Sequence, residues 1–176
     1  MEPTILSTER LVLRPWQSND IEGPLGWGRD ERFGRYLALP SPYEREDARA
    51  LVDSRIASDW ATEPGFAICR GGRVIGDIHA TVDTFHGRAE IGYGLTPDEW
   101  GHGYMTEAAR AVVGWLFEAY ELTKVIARAD AGNDGSWRVM EKLGMRREAI
   151  FRSHRVLRGE RRDEVVYGVL REEWFA

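Results

Sequence analysis

The chain has 176 residues, of which 43% are hydrophobic and 30% charged, and its formal net charge is −5. This length and composition predict one folded globular domain over residues 1–176 and exclude a largely disordered chain. The negative charge disfavours nucleic-acid binding, which depends on Lys and Arg side chains that neutralise phosphates.

The chain contains a single cysteine, Cys69, which excludes an internal disulfide framework and a thiolate-rich zinc site. The N-terminal residues show no basic region followed by an apolar stretch, and no run of 18 apolar residues occurs anywhere. We therefore expect a cytoplasmic protein with no membrane partner.

The first third of the sequence predicts one strand and two helices. Apolar and polar residues alternate over 10–16, which is typical of a strand. Between 18 and 60 the spacing lengthens to that of helices, and the simplest interpretation is two helices broken near Pro40 and Pro42. Residues 18–20 form a cluster of N-cap residue types before the first helix.

The middle of the chain predicts three consecutive strands, in the segments GFAICR, RVIGDIHATVD and AEIGYGLT. Gly71 and Gly72 form a two-residue turn of the kind that joins hairpin strands. We therefore expect an antiparallel meander in this region.

The last third alternates helices and strands. Apolar residues at helical spacing in TEAARAVVGWLFEAY predict a helix, and the strand KVIARAD follows it, which implies a crossover connection. A short helix over 136–143 ends at Gly144, and strands over 146–157 and 161–170 complete a mixed α/β chain.

The segment LTPDEWGHGYMTEAARAVV passes from a strand end through Gly101 and Gly103 directly into an amphipathic helix. This arrangement directs backbone N–H groups and the positive end of a helix dipole to one point, which predicts an anion site. The third glycine of a dinucleotide-binding fingerprint is replaced by Thr106, and no Gly-Lys-Ser/Thr of a P-loop follows. Nicotinamide dinucleotides and nucleoside triphosphates are therefore disfavoured as ligands.

Four segments in this order resemble the GNAT N-acetyltransferases, and within them the RimJ/RimL-like branch, named after bacterial enzymes that acetylate ribosomal-protein N-termini. They are TERLVLRPW, AEIGYGLTPDEWGHGYMTEA, NDGSWRVMEKLGM and RRDEVVYGVLREEW. The resemblance covers nearly the whole chain. It implies a strongly twisted, mostly antiparallel sheet of six to seven strands flanked by about four helices, splayed between the fourth and fifth strands, with acetyl-CoA in the opening.

The resemblance also implies which residues bind acetyl-CoA. The pyrophosphate is expected on the glycine-containing loop and helix start, and the pantetheine arm beside the end of the fourth strand. An Asn-x-x-Ser pattern is expected to contact the pantetheine and the sulfur. The implied residues are Leu95, Trp100, Gly101, His102, Gly103, Tyr104, Met105, Thr106, Asn133 and Ser136.

Three positions depart from the family pattern. Asp98 stands where the superfamily usually has Gln or Arg, and Met140 stands where many members have a Tyr that protonates the leaving thiolate. Arg155 stands where characterised members of the branch have a Glu that accepts the amine's proton, and Arg cannot act as a base. Because Met cannot donate a proton, we expect Ser136 to act as the acid.

The departure at residue 155 leaves the proton acceptor open. Glu90, at the start of the fourth predicted strand, is the leading candidate and would act through a water. Asp163, His154 and solvent are the alternatives. The histidines lack metal-ligand spacing, so no metal is expected.

The resemblance implies an enzyme that transfers acetyl from acetyl-CoA to a primary amine by direct attack in a ternary complex. The acceptor is either a protein or peptide N-terminus or a small-molecule amine. The alternative is a catalytically weak CoA-binding sensor or regulatory protein. The acceptor's identity, the acyl chain preference and the oligomeric state stay open, with a homodimer as one option.

Overall fold

The computed structural model describes residues 1–176 and contains eight strands and six α-helices. The strands are β1 (Leu6–Ser7), β2 (Val12–Arg14), β3 (Gly65–Arg70), β4 (Arg73–Asp83), β5 (Arg88–Leu95), β6 (Lys124–Asp130), β7 (Arg146–Leu157) and β8 (Glu160–Leu170). The helices are α1 (Glu22–Gly28), α2 (Glu31–Gly34), α3 (Arg45–Ala57), α4 (Tyr104–Ala119), α5 (Asp134–Lys142) and α6 (Arg171–Trp174).

All eight strands form one open sheet in the order β1-β2-β3-β4-β5-β6-β8-β7. Every neighbouring pair is antiparallel except β5 and β6, which run parallel because α4 connects them as a crossover. The predicted mixed α/β fold is therefore confirmed. The sheet has one strand more than the six to seven expected, the two-residue β1. The chain has six helices where about four were expected, and two of them have only four residues.

The predictions for the first third of the chain need two corrections. Three helices, α1 to α3, lie where two were expected, and the strand predicted over 10–16 is limited to the three residues of β2. The N-cap prediction over 18–20 was also wrong, because Ile21 is the N-cap of α1. The carboxylate of Asp20 instead accepts two hydrogen bonds from Arg14, at 2.7 and 2.8 Å.

The sheet opens between β5 and β6. These strands pair only where 88–91 faces 124–127, so the last four residues of β5 have no partner on the β6 side. The far edge of β6 stays paired with β8 along its whole length. The splay expected between the fourth and fifth predicted strands is therefore present between β5 and β6.

Hydrophobic packing on both faces of the sheet fixes this opening in place. One face carries a cluster of 30 buried residues, and the other carries a cluster of 8 beneath α1 and α3. Burying one such side chain stabilises the fold by about 1.5–3 kcal/mol. The core residues that α4 contributes are Tyr104, Met105, Ala108, Ala109, Val112, Val113, Leu116 and Phe117.

None of the helices is long and apolar enough to cross a bilayer.

Candidate active site

A cavity of about 920 Å³ lies at the opening between β5 and β6. Its walls are α2 with the residues that follow it, the end of β5, the loop before α4, and α5. Among the residues predicted to bind acetyl-CoA or to be the leading acid and base, only His102 and Glu90 do not line it. Those that do are Leu95, Trp100, Gly101, Gly103, Tyr104, Met105, Thr106, Asn133 and Ser136.

The loop before α4 presents a row of free backbone donors to this cavity. No N–H group from Gly101 to Thr106 donates a hydrogen bond within the protein. Gly101 and Gly103 have φ angles of 79° and 81°, a left-handed conformation that glycine adopts without strain. Since α4 has 16 residues, the positive end of its dipole adds to these donors. This geometry suits an anion with several oxygens.

Contacts from the first part of the chain hold this loop in shape. Arg10 donates to the carbonyl of His102 at 3.1 Å and forms an ion pair with Glu107 at 2.6 Å. The same guanidinium lies 4.5 Å from the centre of the Tyr104 ring, on which His102 stacks. The side chain of His102 therefore packs against the loop and does not line the cavity.

Cations reach the cavity from elements other than the loop. Arg32 of α2 forms an ion pair with Asp98 at 2.8 Å. The basic residues that line the cavity are Arg32, Arg35, Arg138 and Lys142. The cation that the family pattern places near residue 98 is thus absent from the loop, but four basic residues surround the same space. No local pattern predicts that Arg32 contacts this loop, because the two residues of the pair are 66 positions apart.

Ser136 lies at the start of α5, directly across the opening from β5. The Asn133 side chain caps this helix and accepts from the Ser136 N–H at 3.3 Å. Tyr93 of β5 donates its hydroxyl proton to the Ser136 carbonyl at 2.9 Å, and the Ser136 hydroxyl donates to the Tyr93 oxygen at 3.4 Å. Burial raises the pKa of Tyr93 to about 12, so its hydroxyl keeps its proton at neutral pH.

The position that holds Tyr in many relatives is closed to the cavity. Met140 is fully buried in the main hydrophobic cluster. Ser136 and Tyr93 are therefore the two hydroxyl groups that face each other where β5 leaves β6. Tyr93 was missed by the sequence reasoning.

Glu90 lies on the sheet face opposite Tyr93, because strand residues alternate between faces. Its carboxylate accepts from Arg128 at 3.1 Å, and its side chain is 41% exposed. Arg128 also lies 3.5 Å from the buried carboxylate of Glu164, which Arg155 approaches at 3.7 Å. Glu90 is therefore part of a network of charges on this face.

The two alternative proton acceptors lie farther along the same region. His154 approaches Glu164 at 3.7 Å, and Asp163 accepts from the backbone N–H of Ser153 at 2.8 Å. Neither side chain lines the cavity. No three His, Cys, Asp or Glu side chains are grouped so that they could hold a metal ion.

The tip of the β7–β8 hairpin meets the residues of α2 on the face that carries Glu90. Arg158 donates to the Gly34 carbonyl at 2.9 Å, and Arg162 lies 5.9 Å from the centre of the Tyr36 ring. The ring of Phe33 covers Gly94, where an added Cβ would lie only 2.8 Å away. α2 and the tip of this hairpin therefore lie side by side at the opening of the sheet.

The model of the Acetyltransferase (GNAT) domain matches residues 10–146 of the chain. The chain belongs to the GNAT acetyltransferase family. The match includes the loop of free N–H groups and the Asn133–Ser136 helix start, both of which line the cavity. Together with its relatives, this match identifies an acetyltransferase enzyme.

The relatives of this GNAT chain include proteins of the ribosomal-protein branch. YdaF of Bacillus subtilis (strain 168), which bears the provisional name ribosomal N-acetyltransferase, is 34% identical over 177 residues, covering 94% of each chain. A GNAT-family acetyltransferase from Bacillus anthracis has a TM-score of 0.86 and 29% identity, covering 97% of this chain and 100% of its own. RimL, a ribosomal L7/L12 α-N-protein acetyltransferase solved with coenzyme A, shares the fold at a TM-score of 0.85 with 17% identity, covering 95% and 98%.

Proposed function

We propose that the chain transfers the acetyl group of acetyl-CoA to a primary amine by direct attack within a ternary complex. The observation that carries this proposal is the unbroken row of free N–H groups from Gly101 to Thr106 at the start of α4. A diphosphate offers the oxygens that such a row can bind, and membership of the GNAT family supports acetyl-CoA as its source.

The rest of the cavity accommodates the other parts of acetyl-CoA. The free edge of residues 92–95 in β5 can pair with the amide groups of the pantetheine arm, as an added strand would. One lone pair of the Leu95 carbonyl is already used by the Trp100 indole at 2.7 Å, so this pairing would involve the residues before it. The thioester would then lie beside Asn133 and Ser136. Backbone N–H groups of the splayed edge would hold the oxyanion.

Two proton transfers complete the proposed reaction. The nitrogen–carbon bond forms as the amine loses a proton, and the carbon–sulfur bond breaks as the thiolate gains one. Ser136, which is hydrogen-bonded to Tyr93, is the proposed donor to the sulfur. Glu90 acting through a water is the acceptor proposed from the sequence, with Asp163 and His154 as alternatives.

The proposed acceptors are protein or peptide N-termini and small-molecule amines. The name of YdaF and the description of RimL support the first class, because both refer to ribosomal acetylation. The entrance between α2 and the β7–β8 hairpin is rich in arginines, which suits an amine that also carries an acidic group.

The direct test is CoA thiol release from acetyl-CoA, measured with and without amines. The panel would contain a tripeptide with N-terminal alanine, one with N-terminal serine, spermidine, and an amino acid amide. We expect at least one amine to accelerate release well above the hydrolysis rate, with the product identified by mass spectrometry as the N-acetyl amine.

The alternative of a CoA-binding sensor makes the opposite prediction in the same assay. It requires tight CoA binding with slow thioester hydrolysis that no amine accelerates. That result would overturn the proposed transfer activity while leaving the cofactor cleft intact. Absence of CoA binding would overturn the assignment of the loop as well.

A further inference from the structure

A carboxylate, an imidazole and a guanidinium form a compact cluster on the sheet face that carries Glu90. Asp77 and His79 are two residues apart on β4, so both point to this face. The Nδ1 atom of His79 lies 2.9 Å from Oδ2 of Asp77. Arg55 of α3 binds both oxygens of the same carboxylate, at 3.1 and 2.8 Å.

The cluster leaves the second ring nitrogen of His79 free. The guanidinium of Arg55 is already bidentate with Asp77, although its Nη2 also lies 2.8 Å from Nδ1 of His79. Because a carboxylate can only accept, Nδ1 of His79 is assigned as the nitrogen that carries the proton and donates it in a hydrogen bond to Asp77. The Nε2 atom then carries the lone pair. This atom makes no hydrogen bond within the protein, and it is not fully buried.

The His79 side chain does not line the cavity, but it lies opposite Gly92, the residue of β5 just before Tyr93, where the lining begins. His79 faces Gly92 across β4 and β5, and an added Cβ at Gly92 would lie 2.6 Å from Nε2. Gly92 is the first residue of β5 after its pairing with β6 ends at Ile91. The imidazole therefore rests on the strand at the point of divergence, with 34% of its side chain exposed.

The charges of the two side chains that contact the His79 imidazole offset each other. Burial alone would raise the pKa of Asp77, but the hydrogen bond with His79 and the charge of Arg55 outweigh it and lower that pKa. Asp77 is therefore a carboxylate at neutral pH, and its charge offsets that of Arg55. The residues that flank the imidazole in β3 and β5 are glycines. The charged side chains that contact it are Asp77 and Arg55, and the ion pair of Glu90 with Arg128 lies on the same sheet face.

We propose that His79 is the catalytic base, with Asp77 as the residue that positions it. This inference rests on the proposed function. As the amine nitrogen bonds to the thioester carbon, Nε2 of His79 takes the proton that the nitrogen loses. The carbon–sulfur bond then breaks, and the CoA thiolate takes a proton from the hydroxyl of Ser136, which is hydrogen-bonded to Tyr93. The imidazolium returns its proton to solvent and Ser136 regains one from solvent, so protons and charges balance.

The test compares His79→Gln with wild type in the thiol-release assay, using the alanyl tripeptide and spermidine as acceptors. Loss of a general base lowers kcat by about 100-fold or more, while KM for acetyl-CoA stays unchanged. The pH profile of kcat would also differ between the variant and wild type, because only wild type retains a proton acceptor at the reacting nitrogen.

Two controls separate catalysis from structure. His86→Gln is matched, because His86 also pairs with an aspartate, Asp83, at 2.7 Å, but lies in the exposed β4–β5 turn. It is expected to stay within twofold of wild type. His79→Ala is expected to recover part of its activity when imidazole is added, a response that a purely structural residue would not give.

Three results would overturn the inference, and a fourth would overturn the proposed function. Full activity of His79→Gln beside an active wild type would show that His79 is not the base. A large loss confined to Glu90→Gln would assign that role to Glu90. A loss in His79→Gln that comes with a lower Tm, an unchanged pH profile and no imidazole rescue would reduce His79 to a structural residue. A wild type without amine-dependent release would overturn the proposed function itself.

Discussion

Tyr93 connects the two sides of the sheet opening through its hydroxyl group. It donates to the Ser136 carbonyl and accepts from the Ser136 hydroxyl, so it links β5 to the first turn of α5. A hydrogen bond of this kind contributes about 1 kcal/mol to stability. Its hydroxyl also fixes the position of the proposed proton donor to the thiolate.

We expect Tyr93→Phe to lower the free energy of unfolding by about 1 kcal/mol and to reduce kcat, since Ser136 loses its partner. Urea unfolding and the thiol-release assay would measure the two effects. Tyr43→Phe is the matched control, because Tyr43 is also buried but lies outside the cavity and its hydroxyl makes no hydrogen bond within the protein. Equal behaviour of the two variants would contradict the role assigned to Tyr93.

Single residues were predictable from sequence where local spacing decides their position. The glycines and N–H groups around residue 101 follow from a strand-loop-helix pattern, and the structure brings them together with Ser136. The spacing of Asp77 and His79 already places both on one strand face, but their partner Arg55 comes from a distant helix. Such tertiary contacts leave no periodic trace in the sequence.

The start of α4 depends on a left-handed residue at its N-cap. Gly103 holds that position with a φ of 81°, and a residue with a Cβ pays about 1–2 kcal/mol there. An added Cβ would meet only Arg10, at 3.7 Å, so space does not forbid it. The cost of substitution is therefore backbone strain in the loop that carries the free N–H groups.

We expect Gly103→Ala to lower stability by about 1 kcal/mol and to weaken CoA binding at least tenfold, because the strained loop no longer aligns its donors. Gly144→Ala is the control: Gly144 also has a φ of 81°, but it follows α5 and lies outside the cavity. It should lose similar stability and bind CoA normally. Calorimetric titration with CoA would test this, and equal affinities in both variants would be evidence against the proposed loop.

Whole elements were predictable where their periodicity is long. The three strands of the meander, α4 and the last hairpin all appear close to their expected bounds. The four-residue α2 is too short to show a period, and it forms where Asp30 caps it. The predicted cap at 18–20 failed because Arg14 recruits Asp20 to an ion pair. Competition from a tertiary partner decides such short segments.

At the scale of the whole molecule, ionisable groups tie stability to pH at both ends of the range. Burial alone would raise the pKa of Asp130, but hydrogen bonds from Arg162 and from the Gly132 N–H outweigh it and lower that pKa. Burial raises the pKa of Tyr93 and of Tyr120 to about 12. The folded chain therefore holds acidic protons less tightly, and phenolic protons more tightly, than the unfolded chain.

We expect the free energy of unfolding to be highest near neutral pH. It should fall below about pH 4, where the unfolded chain takes up protons that Asp130 resists, and between about pH 10 and 12, where unfolded tyrosines ionise first. Chemical unfolding from pH 3 to 11 would measure this. Asp130→Asn should lower stability at pH 7 and make the decrease in stability below pH 4 less steep. Glu2→Gln, at an exposed position without an ion pair, should change neither. An equally steep decrease in Asp130→Asn would show that other carboxyl groups control the acid dependence of stability.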